Sequence, residues 1–346
     1  MRRRDERGVI LVVVLVFALL LTSTVATFLR KSTLDTLIVR NRDARARADA
    51  LAHGGIRVAT GLILADAVAA SEGSDAQAAG PAINSVRSAW ARLSDWDLAL
   101  EGGATLRIHV EDAGAKLNLN ALLHADEDGE LASQARPLLE AVLDKVIGEM
   151  PLAPAEKQYD ISTLAEHLID FVDADDVSLT GGGEDDYYQM QSPPYRAANR
   201  PLLSLDELRQ VEGFDGVLVG ALVPYLTVFP YAGTGGINPN TAPPHVLALL
   251  FFDDGVDLRL APEDTVREIL KIRQEGGAIC AEEQSDGSCT PIREIVTNAI
   301  YPPPEVNGSV FTIVAEARVG DVTRSIEAVV HRSPEGEPRL LSWRVL

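Results

Sequence analysis

The first pattern along the chain is an unbroken apolar run. Val9 to Leu29 reads VILVVVLVFALLLTSTVATFL, 21 residues without a charge, a Gly or a Pro. As a helix rising 1.5 Å per residue it spans roughly 30 Å, the thickness of a bilayer's hydrocarbon core. A buried core helix is shorter and less uniformly apolar, so the run predicts a membrane span. Arg2, Arg3, Arg4 and Arg7 precede it, which orients the N-terminus toward the cytoplasm, although Arg30 and Lys31 follow. The body is then expected on the far side, in the periplasm of a Gram-negative cell, anchored by one pass through the inner membrane. A cleavable signal peptide calls for a shorter apolar core ending in an A-x-A site, and no such tripeptide ends this run. Instead Arg7-Gly8-Val9 sets a basic residue and a Gly against the run, so cleavage after Gly8 leaves the apolar helix on the mature chain.

Beyond the run the apolar positions thin to helical spacing: Leu34, Leu37, Ile38, Ala44, Ala48 and Leu51. No Gly or Pro occurs from Val9 to His53, and Gly54-Gly55 is the first expected break. The rod so predicted is roughly 65–70 Å long, with its apolar stripe laid on a globular head. Residues 71–82 read as a loop. The pattern then changes to period two: Leu106, Ile108 and Val110 alternate before Asp112-Ala113-Gly114, predicting a hairpin within 104–119. A second hairpin is predicted within 310–330 about Gly320-Asp321, and one more strand in 338–346. Between these lie helical patterns at 138–150, 161–172, 205–211, 217–225, 243–252 and 262–274. Ser204 with Glu207 reads as a capping box, and Asn240 or Thr241 as an N-cap ahead of Pro243 and Pro244.

The simplest assembly is an α+β fold, in which an antiparallel sheet is interrupted by a large all-helical insert. Its expected divisions are 1–8 as a leader, 9–29 as the membrane part of the helix and 30–70 as its periplasmic part. Residues 71–118 begin the head, 119–304 form the insert, and 305–346 complete the sheet. Two sequential domains with a β tail are the alternative. A weak internal echo runs through the insert: Asn118-Leu-Asn120 and Asn238-Pro-Asn240 share a spacing suited to Asx turns and caps. The stretch from Ser204 to Phe214 resembles one half of a helix-hairpin-helix module. Its neighbours Asp206, Glu207, Glu212 and Asp215 are acidic, which disfavours phosphate.

Charge sharpens this division. The formal net charge is −20, yet residues 1–47 hold ten Lys/Arg against four Asp/Glu. The apolar run thus sits in a basic segment of +6, and the body carries −26. So acidic a body is a poor nucleic-acid binder. The acids concentrate in DFVDADDVSLTGGGEDD, Asp170 to Asp186, with seven carboxylates, no Lys or Arg, and three consecutive glycines. Carboxylates at that density repel unless a cation neutralises them, and calcium takes six to eight oxygen ligands. Asp173, Asp175 and Glu184 match positions 1, 3 and 12 of an EF-hand loop, but Val177 and Ser178 fail at two others. The segment is no EF-hand; it suits calcium chemically, and a solvated acidic loop is the alternative.

A short basic leader ending in Gly8, followed by a long helix that is half anchor and half spine, resembles the prepilins. Most prepilins carry Glu as the fifth mature residue; here that position is Val13. A subunit without that carboxylate is expected at a filament tip. More specifically, DAGAKLNLNALL, IDFVDADD, GGGEDDYY, PPYRAANRPLLSLDEL and INPNTAP, in that order along the chain, resemble the general secretion pathway protein K family of minor pseudopilins in type II secretion. The resemblance implies leader removal by prepilin peptidase after Gly8 and N-methylation of Val9. It implies assembly with minor pseudopilins I and J at the tip of the pseudopilus, and a helical domain that binds calcium. By position it makes Asp173, Asp175, Asp176, Glu184 and Asp185 the candidate ligands. A minor pilin of a type IV pilus or competence system is the alternative, and a membrane-anchored metal-dependent hydrolase a remoter one.

The two cysteines, Cys280 and Cys289, flank a loop rich in Gly and acids. In an oxidising periplasm their pairing closes a ten-residue ring worth roughly 2.5–3 kcal/mol. A metal pair is the weaker reading, since no His lies nearby. The six His are scattered, with no H-E-x-x-H or G-x-S-x-G. No enzyme is expected.

Overall fold

A computed structural model describes residues 5–72, 83–95, 97–124, 131–151, 158–175, 177–179, 181–253, 258–282, 288–296, 298–333 and 338–346. Helix α1 (Asp5–Glu72) is continuous through both its apolar run and its polar half. Its 68 residues make a rod of about 100 Å. Its first half contains an 18-residue window of mean hydropathy 2.7, none of it buried, long and apolar enough to cross a membrane.

Gly54 and Gly55 do not end the helix, contrary to expectation. The packed stripe is Ala48, Ala52, Ile56, Ala59 and Ile63, at helical spacing and buried. Gly55 sits on this stripe, where the helix comes closest to the sheet. A Cβ there would meet Ala315 Cβ at 3.1 Å, Leu106 Cδ1 at 3.2 Å and Ile108 Cγ1 at 3.3 Å. Intrinsic helix propensity disfavours Gly by about 1 kcal/mol, but close helix–sheet packing requires it here. The stripe also starts later than predicted. Leu34, Leu37 and Ile38 are half-exposed or more and bridge the apolar run to the head without packing on it.

The head is a five-stranded antiparallel sheet in sequence order: β1 (Asp97–Leu100), β2 (Ala104–Asp112), β3 (Val310–Val319), β4 (Val322–His331) and β5 (Arg339–Val345). Ile108 faces Ala315 across β2 and β3, and Ala315 faces Ile326 across β3 and β4. Their inner faces, with Phe311, Ile313 and Ala328, close on the α1 stripe to make one core. Arg324 on β4 reaches Asp49 of α1 at 2.8 Å. The β3–β4 hairpin turns at Gly320, whose φ of 60° suits glycine.

The hairpin expected within 104–119 does not form. Asp112 does make the turn, its carboxylate accepting from the Gly114 amide at 3.1 Å. The chain then leaves the sheet, and β2 pairs with β3, which returns nearly 200 residues later. Everything between is the insert, built around its own core. Its longer helices are α2 (Ala135–Glu149), α3 (Ile161–Val172) and α6 (Glu263–Glu275), with α4 (Asp185–Gln189) and α5 (Gly216–Leu222) shorter. The stretch predicted helical over 243–252 is one turn, Pro244–Leu247, followed by the strand Phe251–Asp253.

The echo noted in the sequence is a repeated structural unit. In the first copy the Asn118 side chain accepts from the Asn120 amide at 3.0 Å, and a one-turn helix, Leu119–Leu122, follows. The Asn120 side chain then clamps the backbone of Leu202 on both sides, donating to its carbonyl at 2.9 Å and accepting from its amide at 2.8 Å. In the second copy Asn238 accepts from the Asn240 amide at 2.9 Å, and Asn240 clamps Ile279 in the same way at 2.8 and 2.7 Å. Each unit closes by parallel pairing of its ends, Leu117–Asn118 on Leu226–Thr227 and Gly236 on Pro304. Asn240 therefore caps no helix; the one-turn helix beyond it has Pro243 at its N-cap.

Candidate functional site

The acidic loop grows from the end of α3. That helix starts at Asp160, whose carboxylate caps the Thr163 amide at 3.2 Å, and it buries Leu164, Leu168, Ile169 and Phe171. The same face brings Asp170 inside, 4% exposed. A buried carboxylate needs donors, and Asp170 has the Leu179 amide at 3.1 Å and the Ser178 hydroxyl at 2.8 Å. The loop then doubles back through an antiparallel bridge between Val177 and Gly183. Gly181 and Gly182 make that reversal with φ of 88° and 112°, values that a side chain disfavours. The Asp186 carboxylate, accepting from the Gly183 amide at 3.2 Å, ties the return to the start of α4.

This reversal brings Glu184 over Asp170 and Asp173. One carboxylate oxygen from each lies within 4.8 Å of the others. Glu184 is buried, and Asp173 is half-buried where α3 ends. The Oδ1 atom of Asp173 is buried and meets no hydrogen-bond donor among the described residues. Burial, with the nearby charges of Asp175 and Asp170, pushes the Asp173 carboxyl up to about 7. Three acids converging on one point, one with an oxygen that no donor among the described residues reaches, form a hard-oxygen donor set suited to calcium. A polar cavity of about 190 Å³ beside them is also lined by His167, Tyr188 and Glu212.

The five acids expected as ligands divide. Asp173 and Glu184 meet. Asp175 instead accepts from the Val177 amide at 2.8 Å. Asp185 turns toward the following segment, accepting from the Ala197 amide at 3.0 Å and approaching Arg196 at 3.6 Å. Asp176 lies outside the described residues. Asp170, absent from the expected ligands, completes the cluster; its place three residues before Asp173, on the helix's inner face, was the available signal.

The segment PPYRAANRPL supports the loop from behind. The Ala198 and Asn199 amides both donate to the Phe171 carbonyl, at 3.0 and 3.1 Å. The Asn199 side chain donates to the Asp175 carbonyl at 2.9 Å. Tyr188 packs edge-on against Phe171 and tilted against Tyr195, and the Tyr195 hydroxyl donates to the Gln210 carbonyl at 2.8 Å. Leu202 then enters the Asn120 clamp, so the acidic loop is anchored to the first repeat unit.

The module-like stretch after Ser204 is also resolved. The Ser204 hydroxyl accepts from the Asp206 amide at 3.2 Å, while Glu207 pairs with Arg200 at 3.1 Å and does not complete a capping box. At the next helix, the Asp215 carboxylate accepts from the Val217 and Leu218 amides, each at 2.8 Å. An internal carboxylate thus holds the amides that would serve a phosphate. Those bonds and the Tyr159 hydroxyl hold the Asp215 carboxyl below the usual range, against the opposing effect of burial. Cys280 and Cys289 are disulfide-bonded, with Cα atoms 5.8 Å apart. Gly8 and Val9 lie near the start of α1.

A family model described as "Type II secretion system (T2SS), protein K" matches residues 115–231, the span of the first repeat unit. A protein of Aeromonas hydrophila, type II secretion system protein K, is 30% identical over 258 residues, 72% of each chain. The protein of the same description from Pseudomonas aeruginosa is 25% identical over 343 residues, 98% of this chain and 93% of its own. Among solved structures, the GspK-GspI-GspJ complex from the type 2 secretion system of enterotoxigenic Escherichia coli contains a similar fold. The TM-score is 0.59 at 18% identity, covering 89% of this chain and 98% of that one.

Proposed function

The chain belongs to the type II secretion system protein K family, and from that premise we propose that it caps the periplasmic pseudopilus as a minor pseudopilin stabilised by calcium. The family makes it a minor pseudopilin of type II secretion. The tip position is supported by bulk: a helical insert of nearly 200 residues sits on a sheet whose spine is α1. The solved relative is held with GspI and GspJ, so the partners proposed here are the equivalent minor pseudopilins. The anchor is the apolar half of α1, with the basic residues before it on the cytoplasmic side and the head in the periplasm. Prepilin peptidase would cleave after Gly8, leaving N-methylated Val9.

The observation that carries the calcium reading is the convergence of Asp170, Asp173 and Glu184 within 4.8 Å. Calcium there would supply the positive charge that lets all three ionise together. It would tie the end of α3 to the start of α4 and so close the loop in front of the Asn120 clamp. Asp170 is already oriented by Ser178 and Leu179, which makes it the fixed member of the set. The role proposed for the ion is structural: it would hold the three acids, and with them the loop, together.

Co-expression of the full chain with its cognate minor pseudopilins I and J, followed by affinity capture from detergent extract, tests the role. The expected result is a stoichiometric complex, with secretion lost when the chain is deleted. Capture of the chain alone, with secretion intact in the deletion strain, would overturn it.

A further inference from the structure

The two repeat units of the insert relate differently to the head. In the first, Asn118 and Asn120 bond Pro230, Leu202 and Val228, all inside the insert. In the second, Asn238 turns outward to the head. Its side chain donates to the Asp112 carboxylate at 2.8 Å and to the Asn84 carbonyl at 3.2 Å, and its amide donates to the Gly114 carbonyl at 2.7 Å. Thr241 adds a bond to Asp112 at 3.0 Å. Asp112 is the last residue of β2, so these contacts lie where the chain leaves the sheet.

Asn238 is linked in turn to the disulfide. Its Oδ1 accepts from Asn240, and Asn240 clamps Ile279, the residue before Cys280. The head touches the same segment from a second side. Arg87 donates to the Gly276 carbonyl at 3.0 Å, and a Cβ on Gly276 would stand 2.6 Å from the Arg87 guanidinium. Gly276 to Cys280 is therefore gripped by the head at one end and by Asn240 near the other. Within the insert the segment follows directly from α6, whose Ile272 carbonyl accepts from the Gly277 amide at 2.9 Å. Ile279 is buried in the insert core, Ile279–Cys280 pairs with Thr290–Pro291, and the Cys280–Cys289 bond joins these two short strands.

We propose that the disulfide-closed segment Gly276–Cys280 is the mount that sets the insert's orientation on the head, so that the geometry of this end of the molecule depends on oxidation of Cys280 and Cys289. The first unit meets the head elsewhere, through Asp206 near Arg344 at 3.8 Å and Phe229 against Val310 and Val329, and its Asn120 clamp on Leu202 is not part of this mount.

The test is hydrogen exchange of the full chain in detergent micelles, with calcium present throughout so that the outcome is independent of the acidic site. Dithiothreitol breaks the Cys280–Cys289 bond by supplying two electrons and two protons; two thiols form, and the reagent closes its own cyclic disulfide. Alkylation and mass measurement verify the two thiols. A Cys280→Ser, Cys289→Ser variant replaces the reagent where the bond resists. Asn240→Ala, with the disulfide intact, is the second perturbation.

Both perturbations are expected to speed exchange about tenfold in peptides 83–88, 236–241 and 276–280, and by less than about twofold in a peptide covering 198–203. Unchanged exchange at 236–241, or equal acceleration in all these peptides, would overturn the proposal.

Discussion

Removing calcium from the acidic loop is the most informative perturbation of the proposed site. Two full charges 4.8 Å apart repel by about 3.5 kcal/mol at an effective dielectric constant near 20. Three ionised carboxylates cannot share that space cheaply, and the metal-free chain meets the conflict at Asp173, whose carboxyl rises to about 7. In the function proposed here, calcium would relieve the same conflict by binding the folded state. At about a hundredfold excess over its Kd it adds about 2.7 kcal/mol. For a domain of the insert's size this raises Tm by about 5–10 °C. Differential scanning calorimetry of the detergent-solubilised chain, in chelator and then in excess calcium, reads this directly. Asp173→Asn should move the two conditions in opposite directions: the metal-free Tm rises because a buried charge is gone, and the calcium increment shrinks because a ligand is lost. An unchanged Tm in chelator, or an Asp173→Asn variant that keeps the full increment, would refute the reasoning.

Three further outcomes are expected. Asn120→Ala removes three buried hydrogen bonds and leaves the Leu202 amide and carbonyl unpaired, so it should cost about 2–4 kcal/mol in urea unfolding. Gly55→Val forces side-chain atoms into Ala315, Leu106 and Ile108; a loss of about 1–3 kcal/mol is expected by thermal melting, whereas Gly61→Ala, with open space around it, should be neutral or better. Asp215→Ala should cost about 1 kcal/mol at neutral pH through the lost cap. The Asp215 carboxyl lies lower folded than unfolded, so its contribution is present above about pH 4 and fades as pH falls below that; the difference between wild type and variant should shrink with it in acid titrations.

What could be read from the sequence was local, and what escaped was long-range. The apolar half of α1 was legible because a bilayer's thickness dictates length and composition. Gly54-Gly55 misled because propensity disfavours glycine in a helix, while the reason for Gly55 sits on a sheet some 50 to 260 residues away. The turn at Asp112-Gly114 was legible as turn chemistry, but no local rule reveals that β2 pairs with β3 across the whole insert. The β3–β4 hairpin, with both strands adjacent in sequence, was read correctly. At the acidic loop, composition pointed to the region and to Asp173 and Glu184. It did not show that Asp175 and Asp185 are occupied by backbone amides, nor that Asp170 turns inward with the apolar face of α3. The N-x-N echo was half legible: the Asx turns are local, while the clamps on Leu202 and Ile279 close over 82 and 39 residues.

The mass of the chain's own N-terminus decides whether it is processed as a pseudopilin. Intact-mass and terminal-peptide analysis of the chain extracted from membranes of a host with prepilin peptidase should find a mature protein beginning at N-methylated Val9. A chain that retains Met1 to Gly8, or one cut near Ala26 so that the apolar helix is lost, would contradict that processing.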